Sequence, residues 1–234
     1  PWAFKNPSKA FLGIRSMGIF GPLSYWRSIS DWGIGDFDVF GKVITFAKKL
    51  KQTVVQLLPL NYPLGDNSPY NIASTYFFDP VYLGVERMFS FLGITEAKKT
   101  RMLKPFGNGV KWLNSKGEAK SVNDEARALK YKLLQKVFVY FRSKILKDDY
   151  QRIADYIIGR SGQLYTSHDS PLVAKFKSYC QQNRSWLGDH LVYFALAKDL
   201  GTYDFRQWPQ KELALRSPEA IALAKVRCQD VIIF

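Results

Sequence analysis

The chain has 234 residues, of which 47% are hydrophobic and 15% aromatic, and its formal net charge is +14 at pH 7. This apolar content excludes a disordered chain and supplies the core of one or two domains. The positive charge admits a basic, helical nucleic-acid-binding protein as an alternative. The Lys and Arg residues, however, lie within amphipathic segments, and no zinc-finger, RNP or helix-turn-helix signature accompanies them. This pattern favours a solvated helical surface and no nucleic-acid partner.

The cysteines and histidines show no ligand spacing. Cys180 and Cys228 each lie in an amphipathic stretch, which predicts reduced, buried thiols of a cytoplasmic protein. His168 and His190 are isolated, so we assign no metal ligand and no cofactor. The sequence has neither a signal peptide nor an apolar run of membrane-spanning length, and we expect no membrane partner.

The first elements alternate between extended and helical patterns. A short apolar run at residues 11–14 predicts a buried strand, and the Gly-, Ser- and Pro-rich residues 15–30 predict a loop. Residues 38–51 predict a helix with Asp36 or Asp38 as its cap. The apolar residues of this helix that share one face are Val39, Val43, Phe46, Ala47 and Leu50.

The next run, residues 54–60, is the best strand in the chain, and its continuous apolarity is typical of a parallel strand covered on both faces. Strand, helix and strand at this spacing form a β/α unit. The loop at residues 61–71 leaves the carboxyl end of this strand, which is where α/β folds and TIM barrels carry binding residues.

The second half predicts helices alone. They are expected at residues 127–147, 150–158, 171–181, 186–200 and 218–234. The chain begins at Pro1 rather than Met and stops in an apolar run without a cap, so we expect both ends to be cut.

Four segments between Gly33 and Leu83 stand in a recognisable order. They read GIGD at residues 33–36, QLLPL at 56–60, SPY at 68–70 and DPVYL at 79–83, and weaker echoes are WLGD at 186–189 and FRQWP at 205–209. This ordered set resembles the N-terminal section of 4-α-glucanotransferases, the amylomaltases. The resemblance implies an incomplete TIM (β/α)8 barrel. Its first two strands and a substrate-binding loop would occupy residues 1–94, an inserted helical subdomain residues 95–215, and the start of the helix before the third strand residues 216–234.

The same resemblance implies a binding site for α-1,4-glucans or malto-oligosaccharides. Tyr70 matches the family tyrosine that serves as a platform near the cleavage subsite, because the C–H faces of a sugar pack on aromatic rings. Ser68 matches the serine of the motif, and its hydroxyl would bond a sugar or fix the loop. Asp66 matches the aspartate before the motif, although Asn67 makes the interval one residue longer. The alternative is that Tyr70 packs the loop onto the barrel rim, and for Asp36 a helix cap is favoured over a substrate contact.

The implied reaction transfers α-1,4-glucan segments between malto-oligosaccharides with retention, as in starch, glycogen and maltose metabolism. Such chemistry needs a carboxylate nucleophile and a carboxylic acid/base about 5 Å apart. The family segments that carry them do not occur in this sequence, so we assign no catalytic residue and expect the chain alone to be inactive. Two further alternatives are a non-catalytic glucan-binding remnant and a hydrolase of the α-amylase clan, although the order from GIGD to SPY favours the transferase.

Overall fold

The structure, a computed structural model, describes residues 16–28, 30–65, 68–107, 124–165 and 169–234. It divides into two compact units, residues 1–133 and residues 134–234. The described part is mainly helical and contains a two-stranded parallel sheet. In chain order its strands and helices are β1 (Gly18–Gly21), α1 (Phe37–Lys49), β2 (Val54–Leu57), α2 (Val85–Phe91), α3 (Glu96–Leu103), α4 (Asp124–Tyr140), α5 (Asp149–Ile157), α6 (Pro171–Gln182), α7 (Arg184–Leu200), α8 (Lys211–Ala214), α9 (Pro218–Arg227) and α10 (Gln229–Ile233).

The sheet pairs β1 with β2 in parallel, with Gly18 opposite Val54 and Gly21 opposite Leu57. The predicted strand at residues 54–60 is confirmed over its first four residues. The prediction of a loop over residues 15–30 is wrong, because β1 lies within it. β1 begins and ends with glycine, which disfavours a strand when the sequence is considered alone. The pairing nevertheless requires glycine at position 18, because a Cβ on Gly18 would lie 2.7 Å from the Val54 carbonyl oxygen. The strand predicted at residues 11–14 lies outside the described residues.

Helix α1 confirms the predicted helix between the two strands. Val39 and Ala47 are buried, as the periodicity predicts. The apolar face predicted for this helix also contains Phe46 and Leu50, which are 56% and 50% exposed. Part of the apolar face of α1 is therefore exposed on the surface of the structure.

One buried apolar cluster of the first unit includes residues from the segments that follow β1 and β2. Its buried members are Leu23, Ile34, Val81, Tyr82 and Ala126, and partly buried side chains such as Trp26, Phe40, Leu57 and Leu129 pack against them. Ile34 belongs to the GIGD turn and Val81 to the DPVYL segment, so both motifs are anchored in one apolar cluster.

The second unit consists of helices, as predicted for this part of the chain. α10 packs on α5 and α7, and α6 packs on α7. The single helix predicted over residues 218–234 is divided into α9 and α10 at Cys228. Cys180 and Cys228 are free and buried, as predicted. Burial raises the pKa of the Cys180 thiol to about 11, which keeps it protonated and unreactive at neutral pH.

Candidate functional site

The carboxyl ends of β1 and β2 lie at one edge of the sheet because the strands are parallel, and the segments that leave them line a cleft. Its lining comprises Pro22, Leu23, Ser24 and Tyr25 after β1, residues 58–61, Pro63 and Pro69 after β2, and Asp79, Tyr82 and Arg127. We call it the strand-end cleft. Its volume is about 120 Å³, below the roughly 300–1,000 Å³ of pockets that enclose a ligand. It can therefore hold only one edge of a ligand whose remainder lies on open surface.

The loop after β2 doubles back on itself. Asn61 pairs in antiparallel fashion with Phe78, and Pro63 pairs with Ile72. The side chain of Asn61 adds a hydrogen bond of 3.1 Å to the Phe77 carbonyl oxygen. These cross-links tie the base of the loop, so that the SPY motif lies near its tip on a fixed support.

Tyr70 lies at that tip and is 72% exposed. Its backbone N–H donates to Ser68 Oγ at 3.4 Å, and the N–H of Asn71 donates to the Ser68 carbonyl oxygen at 3.3 Å. Ser68 thus has a contact within the loop, whereas most of the Tyr70 ring is open to solvent. Asp66, the third residue predicted for the site, lies outside the described residues.

Asp79 forms the buried floor of the strand-end cleft. Its Oδ1 accepts hydrogen bonds from the Val81 N–H at 3.0 Å and from the Tyr131 hydroxyl at 3.1 Å, and its Oδ2 accepts one from Arg127 Nη1. Burial raises the pKa of Tyr131, and the negative charge of Asp79 raises it further. The phenol therefore stays protonated and donates its hydrogen bond. The carboxylate therefore joins the DPVYL segment to α4, across 48 positions of sequence in the case of Arg127.

Arg127 is the cationic wall of the same cleft. Burial opposes its charge, but the charge and hydrogen bond of Asp79 outweigh burial and raise the pKa of the guanidinium. Its Nε is buried and has no hydrogen-bond acceptor among the residues that the structure describes. Arg127 thus lines the cleft, while one of its N–H groups is buried and not satisfied by the described residues.

Asp36 of the GIGD turn is buried and acts as a helix cap, which is the role favoured from the sequence. Its Oδ1 accepts from the backbone N–H groups of Asp38 and Val39 at 3.0 and 3.3 Å. Its Oδ2 accepts from Lys130 Nζ at 3.3 Å, and Lys130 is fully buried. Asp36 does not line the strand-end cleft, so its part in the site is to hold the turn that precedes α1.

Arg127 and Lys130 were not singled out from the sequence, although a signal existed for one of them. Lys130 occupies a position in the buried stripe of α4, four residues after Ala126 and three before Leu133. A lysine in such a stripe indicates a buried partner of opposite charge. For Arg127, no local pattern indicates that it meets Asp79.

In α/β folds, ligands usually bind among the loops that converge at the carboxyl ends of parallel strands. The family profile described as 4-alpha-glucanotransferase matches residues 22–234. The chain belongs to this family.

The curated relatives agree with that assignment. A 4-alpha-glucanotransferase of Synechocystis is 24% identical over 206 residues, covering 88% of this chain and 34% of the relative. One of Chlamydia pneumoniae is 34% identical over 82 residues, covering 35% of this chain and 16% of the relative. The 4-alpha-glucanotransferase DPE2 of Oryza sativa subsp. japonica is 24% identical over 200 residues, covering 83% of this chain and 17% of the relative. The chain spans about a third of the length of the Synechocystis protein. No solved structure gives a significant match.

The described residues contain neither a cluster of metal ligands nor a membrane-spanning helix. Within this part of the chain, no group of three or more potential metal ligands comes together. Across the same residues, no helix combines the length and apolarity needed to cross a bilayer.

Proposed function

We propose that this chain forms the glucan-binding start of a TIM-barrel 4-α-glucanotransferase that transfers α-1,4-glucan segments between malto-oligosaccharides with retention. The observation that carries the proposal is the open ring of Tyr70, 72% exposed at the tip of a tethered strand-end loop, in a member of this family. We further propose that the protein works in the cytoplasm, where free thiols such as Cys180 and Cys228 stay reduced.

The binding would combine stacking with hydrogen bonds. A pyranose ring would lie on the face of Tyr70, because its C–H groups pack on an aromatic surface and leave its hydroxyls free. A hydroxyl at the edge of the sugar would enter the small strand-end cleft, beside the Arg127 guanidinium that lines it. Ser68 and Asp66 are proposed to hold the loop or to bond the sugar, as the motif implies.

The barrel part of the proposal is supported by the apolar surface around the sheet. Phe20 of β1 is 63% exposed, and Ile44 and Phe46 of α1 are 46% and 56% exposed. A single exposed apolar side chain is common on a protein surface, but several large ones on the same β/α unit favour a further layer that covers them. In a (β/α)8 barrel, the adjoining strands and helices would cover them.

We assign no residue of this chain to the covalent chemistry. Among the described residues of the first unit, the three buried aspartates all have structural partners: Asp31 binds Arg27, Asp36 binds Lys130 and Asp79 binds Arg127. Each also accepts a backbone N–H. Carboxylates engaged in this way hold turns in place, whereas retaining transfer needs a free pair about 5 Å apart.

The 234-residue chain is therefore expected to leave maltotriose unchanged. Products would be followed by anion-exchange chromatography after prolonged incubation at high protein concentration. Formation of glucose together with maltopentaose would show disproportionation and would contradict the assignment of the chemistry to other residues.

Tyr70→Ala tests the binding proposal. We expect maltoheptaose affinity to fall about tenfold, the loss of one stacking contact, with no change in thermal stability because the ring is exposed. Titration calorimetry on the same 234-residue chain gives the affinity. Tyr165→Ala is the matched control, because Tyr165 is also 72% exposed but lies in the second unit. Equal affinities for the two variants would overturn the role of Tyr70.

A further inference from the structure

A larger cavity lies within the second unit. Its volume is about 580 Å³, inside the range of ligand-binding pockets. One face of α7 and the segment after it, residues 205–221, form its walls. The side chains that give it its chemistry are Trp186, Asp189, His190, Tyr193, Phe205 and Arg216.

Helical geometry places the α7 residues in this wall. Trp186, His190 and Tyr193 are four and three residues apart and therefore share a face of the helix. α7 is followed by its C-cap, Gly201, whose φ of 74° lets the chain reverse direction. The reversal brings the segment containing Phe205 back along that face.

The aromatic walls are held in place by their own contacts. The ring of Trp208 lies 5.8 Å from that of Tyr193, and Trp208 Nε1 donates to the Thr202 carbonyl oxygen at 3.0 Å. The Tyr193 hydroxyl donates to the carbonyl oxygen of Tyr203. A wall fixed in this way loses little conformational entropy when a ligand binds.

The rim of the cavity offers both a hydrogen-bond donor and an acceptor. Arg216 Nη2 and Asp189 Oδ2 form an exposed ion pair at 2.9 Å. The pair has no net charge, which favours an uncharged ligand over an anion or a cation, and its groups match the donating and accepting capacity of neighbouring hydroxyls. Phe205 is 49% exposed and presents an apolar surface beside this pair.

We propose that this cavity is a second binding site for malto-oligosaccharides, with a sugar face against Phe205 and Trp186 and sugar hydroxyls on Asp189 and Arg216. The choice of a glucan, rather than another uncharged polyol, rests on the proposed function. This site needs no residue of the strand-end cleft and none of the SPY loop.

Fluorine NMR of the 234-residue chain labelled with 5-fluorotryptophan tests the proposal, because Trp186 and Trp208 both line the cavity. Titration with maltoheptaose is expected to shift the Trp186 resonance in a saturable way. Phe205→Ala should weaken this response about tenfold, and Phe205→Tyr, which keeps a ring, should preserve it. Tyr179→Ala is the control, since Tyr179 is 48% exposed and outside the cavity.

Tyr70→Ala separates the two proposals. The Trp186 shift is expected to survive this substitution, which removes only the proposed platform of the first site. If the Trp186 and Trp208 resonances do not move at saturating maltoheptaose, or if Phe205→Ala and Tyr179→Ala behave alike, the second site is overturned. Failure of the first site instead shows as unchanged calorimetric affinity in Tyr70→Ala.

Discussion

Asp36→Ala is expected to destabilise the chain by about 3–5 kcal/mol, the usual cost of leaving one member of a buried ion pair without its partner. The substitution removes the cap of α1 and the carboxylate that faces Lys130 Nζ at 3.3 Å. Lys130 is fully buried, so its ammonium cannot exchange that partner for water. Urea titration followed by tryptophan fluorescence measures the loss.

A double variant shows whether the charge or the shape of this pair matters. Burial is the largest effect on both groups, raising the pKa of Asp36 and lowering that of Lys130. Burial thus disfavours the charged form of each group in spite of their mutual attraction. The double variant Asp36→Asn with Lys130→Met should therefore lose less unfolding free energy than the sum of the two single variants. Arg87→Ala, which breaks the exposed pair with Asp38, is the control and should cost at most about 1 kcal/mol. A loss that small for Asp36→Ala would contradict the buried pair.

Gly35→Ala is expected to cost about 3 kcal/mol, because the added methyl has no room. A Cβ there would lie 2.1 Å from the carbonyl oxygen of Leu23 and 2.2 Å from that of Trp26. Both obstacles are backbone atoms that cannot rotate away, so the turn itself would have to move. The same urea titration measures the effect.

Gly41→Ala is the matched control for this glycine. Gly41 lies inside α1, and a Cβ there meets nothing within 4 Å among the described residues. Alanine should therefore stabilise the helix by about 0.5–1 kcal/mol. If both glycine variants change stability in the same direction, the close approach at Gly35 is not present in solution.

Local patterns were enough to predict most of the helices and β2. α1 has helical periodicity and β2 is a short, nearly continuous apolar run, and α6 and α7 agree with the predicted helices to within two residues at each end. β1 was missed because its identity depends on pairing with a strand 36 positions later, not on its own composition. The helical pattern of residues 218–234 continues through Cys228. Periodicity alone therefore could not show that α9 ends there and α10 begins.

The candidate site was predictable only where a motif marks it. The SPY motif and its place after β2 could be read from the sequence, and Tyr70 and Ser68 lie in the loop expected for them. Arg127 was beyond reach because its contact with Asp79 joins residues 48 positions apart. Side chains that come together only in the folded chain have no characteristic spacing in the sequence.

A crystal structure of this chain with maltoheptaose tests the central claim most directly. We expect a glucose ring stacked on the Tyr70 ring, with its mean plane about 4 Å away, the contact distance of carbon atoms. A bound glucan that leaves the Tyr70 ring bare, or a SPY loop without sugar in crystals soaked to saturation, would contradict the account.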